Sequence, residues 1–268
     1  MFPILMRIGG FTLHTYGLLV ATGFLVGIYT ARRFAKRFGL DPERIFNLAV
    51  YLALAAIAGA KLFLVFQDWR YYLHDPGSLF SWGFVQSAGI FYGGLILALL
   101  TLSLYVWRQK LPWLAVGDAV VPGVAIGHSI GRLGCFSAGC CWGKPTTGWW
   151  GITFTNAYSH ATVGVPLNIP LYPTQLIESF CELAIFLVLW RLAKRRSFVG
   201  QLTATYLISY GVVRFLVDFL RAYEPQAMLF HGLMTDAQLT SLFMIALAIG
   251  IWAVQAHRSV PVAASSAS

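Results

Sequence analysis

The chain has 268 residues, 58% hydrophobic and 15% aromatic, with only 11% charged and a mean hydropathy of +0.69. Such a composition excludes an ordinary soluble domain. The net charge of +9 does not point to nucleic acid, because the basic residues gather in short runs between apolar segments. Apolar runs of about 20 residues predict an all-α polytopic membrane protein with about seven transmembrane helices, over residues 12–30, 46–67, 87–107, 116–134, 175–190, 201–219 and 235–255.

Orientation follows from the basic residues. With the N-terminus outside and the C-terminus cytoplasmic, the inner segments hold Arg32, Arg33, Lys36, Arg37, Arg44, Arg108, Lys110, Arg191, Lys194, Arg195, Arg196 and Arg258. The outer segments hold Arg7, Arg70, Lys144 and Arg221, twelve against four, with Lys61, Arg132 and Arg214 left inside spans. The first span has no convincing cleavage site and is expected to stay. Residues 1–258 are read as a single transmembrane domain, and the small-residue tail 259–268 as disordered.

In chain order, His14, Tyr16 and Gly17 stand near the start of the first span, and Tyr92-Gly93-Gly94 near the outer boundary of the third. A Tyr at that depth is more often an interfacial anchor than a catalyst, and a lone His more often a satisfied polar residue. The fourth span carries Gly123, Gly127 and Gly131, a stripe suited to helix packing. Arg132 follows it, although a guanidinium mid-span costs roughly 2.5–3.5 kcal/mol on insertion scales. Gly134 is expected to turn the backbone and expose amides that would help Arg132 hold an anion. In a bilayer the abundant anion is a lipid phosphate.

Cys135, Cys140 and Cys141 come next, in the outward segment. An oxidising compartment would permit a disulfide from Cys135 to Cys140 or Cys141. Zinc would need a second ligand pair at a standard spacing, which is missing, so neither a metal nor a cofactor is expected. The fifth span opens with Tyr172-Pro173-Thr174-Gln175 and continues through Glu178 and Glu182, which are expected to pair with Arg132, Arg214 or Lys61. Structural and catalytic roles for these carboxylates stay equally open. The sixth span places Tyr210, Arg214, Asp218 and Arg221 on one helical face, with Asp218 either neutralising Arg214 or orienting it towards a ligand.

These pieces occur in a family's order. His14-Thr15-Tyr16-Gly17-Leu18, Tyr92-Gly93-Gly94-Leu95, Gly131-Arg132-Leu133-Gly134, Tyr172-Pro173-Thr174-Gln175 with Glu178, Tyr210-Gly211-Val212-Val213-Arg214, and Gln238 with Ser241 resemble the prolipoprotein diacylglyceryl transferase family along nearly the whole chain. The resemblance implies a multi-pass enzyme of the bacterial inner (plasma) membrane. It would move the diacylglyceryl group of phosphatidylglycerol to the lipobox cysteine of a prolipoprotein signal peptide, forming a thioether and releasing glycerol 1-phosphate. Its partners would be these two substrates and membrane lipid. Arg132 and Arg214 would clamp phosphate, Tyr210 and Tyr92 would take part in catalysis, and Tyr16, His14, Gly134, Gln175, Glu178 and Asp218 would contact substrate.

The chain also departs from that family. Tyr92 and Tyr172 stand where many members have His, Cys135, Ala138 and Cys140 fall in the signature that usually carries Asn and Glu, and Asp218 replaces a common Glu. The base that activates the thiol is left open among Tyr210, Tyr92 and deprotonation favoured by the arginines. A phospholipid transporter and a catalytically inactive relative are the alternative readings. Against the first, the polar residues cluster in the outer half of the spans.

Overall fold

The computed structural model describes residues 2–8, 11–81, 83–84, 89–222, 228–229 and 233–258; the tail 259–268 read as disordered lies outside them. The chain is helical almost throughout, with a few two-stranded ribbons. Four helices are long and apolar enough to cross a membrane, and a shorter apolar helix accompanies them, so this is a polytopic membrane protein. The chain divides into two compact units, one of Met1–Phe34 with Gly117–Ser268 and the other of Ala35–Val116.

The first unit opens with an antiparallel ribbon, β1 (Ile4–Ile8) and β2 (Phe11–His14), that feeds α1 (Thr15–Arg37). In the second unit, α2 (Pro42–Gln67) starts at Asp41, whose carboxylate accepts from the Glu43 amide, with Pro42 in the first turn where its missing N–H is harmless. After the short α3 (Trp69–His74), α4 (Phe91–Arg108) packs along α2. The contact is backbone to backbone. A Cβ added at Gly93 would lie 2.5 Å from the Gly59 carbonyl oxygen, so the glycines of the Tyr92-Gly93-Gly94 motif serve close helix packing. Lys61 belongs to this unit too, donating to the Phe84 carbonyl and standing over the Phe84 ring.

α5 (Trp113–Ala138) carries the chain back into the first unit. Its glycine stripe meets α1: a Cβ at Gly127 would stand 2.9 Å from the Gly23 oxygen, and one at Gly27 2.8 Å from the Gly123 oxygen. Gly131 meets nothing within 4 Å and is no part of the crossing. One expectation is corrected here. Gly134 does not turn the chain; it stays helical and packs on Tyr16, because α5 continues to Ala138 and the reversal falls at Gly139, in left-handed backbone.

Beyond α5 a loop domain carries α6 (Ala157–Val163) and the ribbon of β3 (Ile152–Thr153) with β4 (Pro170–Leu171), closed over buried Phe154, Val165 and Leu171. Then come α7 (Thr174–Leu192), α8 (Gln201–Asp218), the ribbon of β5 (Met228–Leu229) with β6 (Met234–Thr235), and α9 (Asp236–Arg258). α8 packs along α9 and against α7. Gln238 and Thr235 close a reciprocal capping box, each side chain accepting from the other's amide at 3.1 Å, and Ser241 lies where Gly211 lets α8 approach α9. Both motif residues therefore build the fold.

The N-terminus of α8 is held by Asp118, which is fully buried. Its carboxylate accepts from the Gly200 and Thr203 amides and the Thr203 hydroxyl, and pairs with Arg196 at 3.1 Å. A carboxylate there is favoured by the helix dipole as well as by the orphan amides.

The glycine crossing predicts that Gly127→Val, which forces side-chain atoms into the α1 backbone, costs about 1–3 kcal/mol. Thermal unfolding in detergent should show a clear drop for this variant and none for Gly131→Ala. Equal melting temperatures would contradict the crossing.

Candidate active site

The polar groups of α5, α7 and α8 meet in two rungs. In the first, Glu178 on α7 receives three guanidiniums: Arg132 of α5 in direct contact, and Arg214 and Arg221 of the α8 end, each at 3.7 Å. Arg214 also pairs with Asp218 one helical turn on, at 3.0 Å, and Asp218 accepts the Thr235 hydroxyl from the capping box of α9. The three arginine side chains are 12–15% exposed, while Glu178 and Asp218 are 3% and 0%. Three guanidiniums thus outnumber two carboxylates in a nearly dry place. Asp218 thus neutralises Arg214 within the cluster.

One turn away lies the second rung, His128 of α5 with Nδ1 2.8 Å from Glu182 Oε1 of α7. Between the rungs Ser129 and Ser179 form a reciprocal clasp, each hydroxyl donating to the other's carbonyl at 2.8 Å. It fixes the register of α5 on α7. Tyr210 flanks both rungs: its ring meets His128 edge-on at 5.5 Å, stacks on Tyr206 at 5.7 Å, and is within electrostatic reach of Glu178, Arg214 and Arg132.

The other expected residues of the first unit sit around this core. Gln175 donates to the Cys140 carbonyl at 2.7 Å and Thr174 to that of Cys141 at 2.8 Å, so the start of α7 holds the loop after α5. The Lys144 amide donates to the Leu220 carbonyl, and Gly143 bridges Arg221, which ties the same loop to the end of α8. Tyr172 packs on Trp150, ring centroids 5.0 Å apart, in that loop layer. His14 bonds the Tyr158 hydroxyl at 2.8 Å, and with Tyr16 it lines an open apolar hollow of about 290 Å³ beside Val163. Tyr92 opens α4 in the second unit, more than half exposed. His128 was passed over in the sequence reading, though its spacing of four from Arg132 places both on one face of α5.

No disulfide joins Cys135, Cys140, Cys141 or Cys181, and each carries a free thiol in this structure. The Sγ atoms of Cys135, Cys140 and Cys141 lie within 4.8 Å of one another. Hydrogen bonds from Cys135 and Cys140, aided by the charges of Arg221 and Arg132, hold the Cys141 thiol below the ordinary cysteine range despite its burial. The same network pushes the Cys140 thiol up.

Fold and site together define a polytopic membrane protein with a cationic cluster set among its helices. The family profile described as prolipoprotein diacylglyceryl transferase matches residues 3–254. A phosphatidylglycerol–prolipoprotein diacylglyceryl transferase of Clostridium tetani (strain Massachusetts / E88) is 32% identical over 257 residues, covering 96% of this chain and 98% of its own length. The protein of that name from Francisella tularensis subsp. novicida (strain U112) is 32% identical over 252 residues, 91% of this chain and 90% of its own. Phosphatidylglycerol–prolipoprotein diacylglyceryl transferase 2 of Clostridium perfringens (strain 13 / Type A) is 30% identical over 243 residues, 90% and 91%. The chain belongs to the prolipoprotein diacylglyceryl transferase family.

The lowered Cys141 thiol predicts a distinctive labelling profile. A thiolate is the reactive form, so a depressed pKa keeps reactivity as pH falls, while a free thiol near 8.5 loses about tenfold per unit below that value. Iodoacetamide labelling, read by peptide mass spectrometry between about pH 6 and 8 in this reactivity window, should slow less at Cys141 than at a free-cysteine standard as pH falls. A parallel decline at both would refute the ordering.

Proposed function

We propose that this chain transfers the diacylglyceryl group of phosphatidylglycerol to the lipobox cysteine of a prolipoprotein signal peptide, in the inner membrane. The observation that carries the reading is the convergence of Arg132, Arg214 and Arg221 on Glu178, a cluster of guanidiniums of the kind that receives a phosphodiester. We read α1, α2, α4, α5, α7, α8 and α9 as seven spans, with the N-terminus outside. In this orientation twelve basic residues lie in cytoplasmic segments. α7, with 19 residues, is about 28 Å long, close to the hydrocarbon thickness. The arginine cluster then falls in the outer half, at the level of lipid headgroups.

The chemistry suits the two rungs. The lipobox sulfur forms a bond to the glyceryl carbon that carries the phosphate ester, the carbon–oxygen bond breaks, and its electron pair leaves on glycerol 1-phosphate. The leaving phosphate gains a second negative charge, which guanidiniums already in place favour over the ground state. Glu178 and Asp218 hold those guanidiniums, and Gln175 and Gly134 support the surrounding backbone. The thiol proton goes to His128, whose Nδ1–H donates to Glu182 and so leaves Nε2 to accept. The imidazole stands one helical turn, about 6 Å, deeper than Arg132. Depth matters because the reacting carbon lies on the tail side of the phosphate. Tyr210 links the rungs, and the hollow beside His14 and Tyr16 offers an apolar surface for substrate.

Transfer of labelled diacylglyceryl from phosphatidylglycerol to a lipobox peptide tests this. Arg132→Ala and Arg214→Ala should each lower the rate by about 10²–10³-fold, the usual cost of losing one donor to a developing anion. A parent that binds phosphatidylglycerol through its arginines without transferring it would instead mark a non-catalytic phospholipid-binding protein.

For His128→Gln the expected loss is about 10²–10⁴-fold near neutral pH. The residual rate should climb about tenfold per pH unit towards the thiol's own pKa near 8.5, where the nucleophile ionises unaided. A pH profile unchanged in shape would remove His128 from the proton transfer.

A further inference from the structure

The transfer reaction leaves one cluster of reactive groups without a role. Cys135 ends α5, Cys140 and Cys141 follow its reversal, and the three half-buried sulfurs already lie within 4.8 Å. The backbone that presents them is held independently of the thiols. Gly139 and Cys141 are in left-handed conformation, with φ of 84° and 62°, and the amides of Gly139 and Cys140 both donate to the Cys135 carbonyl. A non-glycine residue there is uncommon and needs a reason. Thr174 and Gln175, each 1% exposed, donate to the Cys141 and Cys140 carbonyls from the start of α7. The fourth cysteine, Cys181, lies on α7 outside this group.

We propose that Cys135, Cys140 and Cys141 form a three-thiolate site for a thiophilic d¹⁰ cation, Zn²⁺ or Cu⁺. Metal–sulfur bonds of about 2.3 Å place three sulfurs about 3.8–4.0 Å apart. Sulfurs no more than 4.8 Å apart reach that by small side-chain rotations, with the backbone already set. Soft thiolate ligands select these ions over the hard cations that carboxylates hold. Each thiol gives its proton to solvent as it coordinates, and three thiolates with Zn²⁺ carry one net negative charge. Arg221 and Arg132 stand close enough to act on Cys141 and offset it. Three protein ligands leave a fourth position open to water or another donor. The ion would join the end of α5 to the loop that Thr174 and Gln175 anchor, one turn before Glu178.

The test needs no transfer assay, so its failure would leave the transferase reading untouched. Reduced, metal-stripped full-length protein in detergent is titrated with Co²⁺, then with Zn²⁺, and labelled with iodoacetamide. One equivalent of Co²⁺ should give thiolate-to-cobalt charge-transfer absorption that Zn²⁺ displaces. One equivalent of Zn²⁺ should protect Cys135, Cys140 and Cys141 from alkylation and leave Cys181 as reactive as before. Cys135→Ser, Cys140→Ser and Cys141→Ser should each weaken binding beyond the 10–100-fold typical of losing an outer-shell partner, and Cys181→Ser should not. The protection measurement uses unaltered protein, so a variant that fails to fold does not blunt it. Complete alkylation of the trio at saturating Zn²⁺ overturns the proposal, as does a disulfide within the trio that withstands mild reduction.

Discussion

Glu178 is the group on which the first unit's polar interior depends. Three guanidiniums, from α5, α8 and the segment just after α8, would repel one another strongly where dielectric screening is weak, and a single buried carboxylate draws them together. Removing one member of such a buried set typically costs about 3–5 kcal/mol, because the remaining charges stay desolvated and unpaired. Asp218 completes the arrangement and, through Thr235, carries it to the cap of α9. Guanidiniums outnumber carboxylates in the cluster. That surplus reconciles two demands, since a fully neutralised cluster would fold well and bind anions poorly.

A second layer of order comes from placing polar groups in register. The serine clasp between the rungs sets α5 against α7 so that His128 faces Glu182 and Arg132 faces Glu178. A slip of one residue would turn both pairs away from each other. At the far end of α5, 14 residues or about 21 Å from Arg132, Asp118 clamps the start of α8. Two polar fixtures at opposite ends therefore constrain α5 and α8, where apolar side chains alone would let helices slide.

Much of this was legible along single helices. Apolar runs located the helices, and offsets of four put Tyr210, Arg214 and Asp218 on one face of α8, whereas Arg221 falls just beyond its end. Periodicity states which residues share a face, but not which face of another helix will meet it. His128 therefore read as incidental beside Arg132, and Glu182 gave no sign that its partner was a histidine. The convergence of Cys135, Cys140 and Cys141 was illegible for a related reason. Spacing rules for metal sites assume paired ligands on short loops, whereas here a helix end and a reversed turn bring three sulfurs together. Gly134 was assigned a turn that Gly139 makes, because a glycine near a span's end looks alike whether it breaks the helix or lets a neighbour approach.

The glycine crossing of α1 and α5 also bears on biosynthesis. Gly23 and its counterpart Gly127 are 104 positions apart in the chain, so at roughly 5–20 residues per second the ribosome delivers the second some 5–20 s after the first. During that interval α1 has emerged with its small-residue groove facing whatever surrounds it. The helices α2 and α4, both encoded in the gap, can meanwhile find each other through Gly59 and Gly93. Assembly order is thus written into the chain: the middle unit can close first, and the first helix must be kept from wrong partners until the fifth arrives.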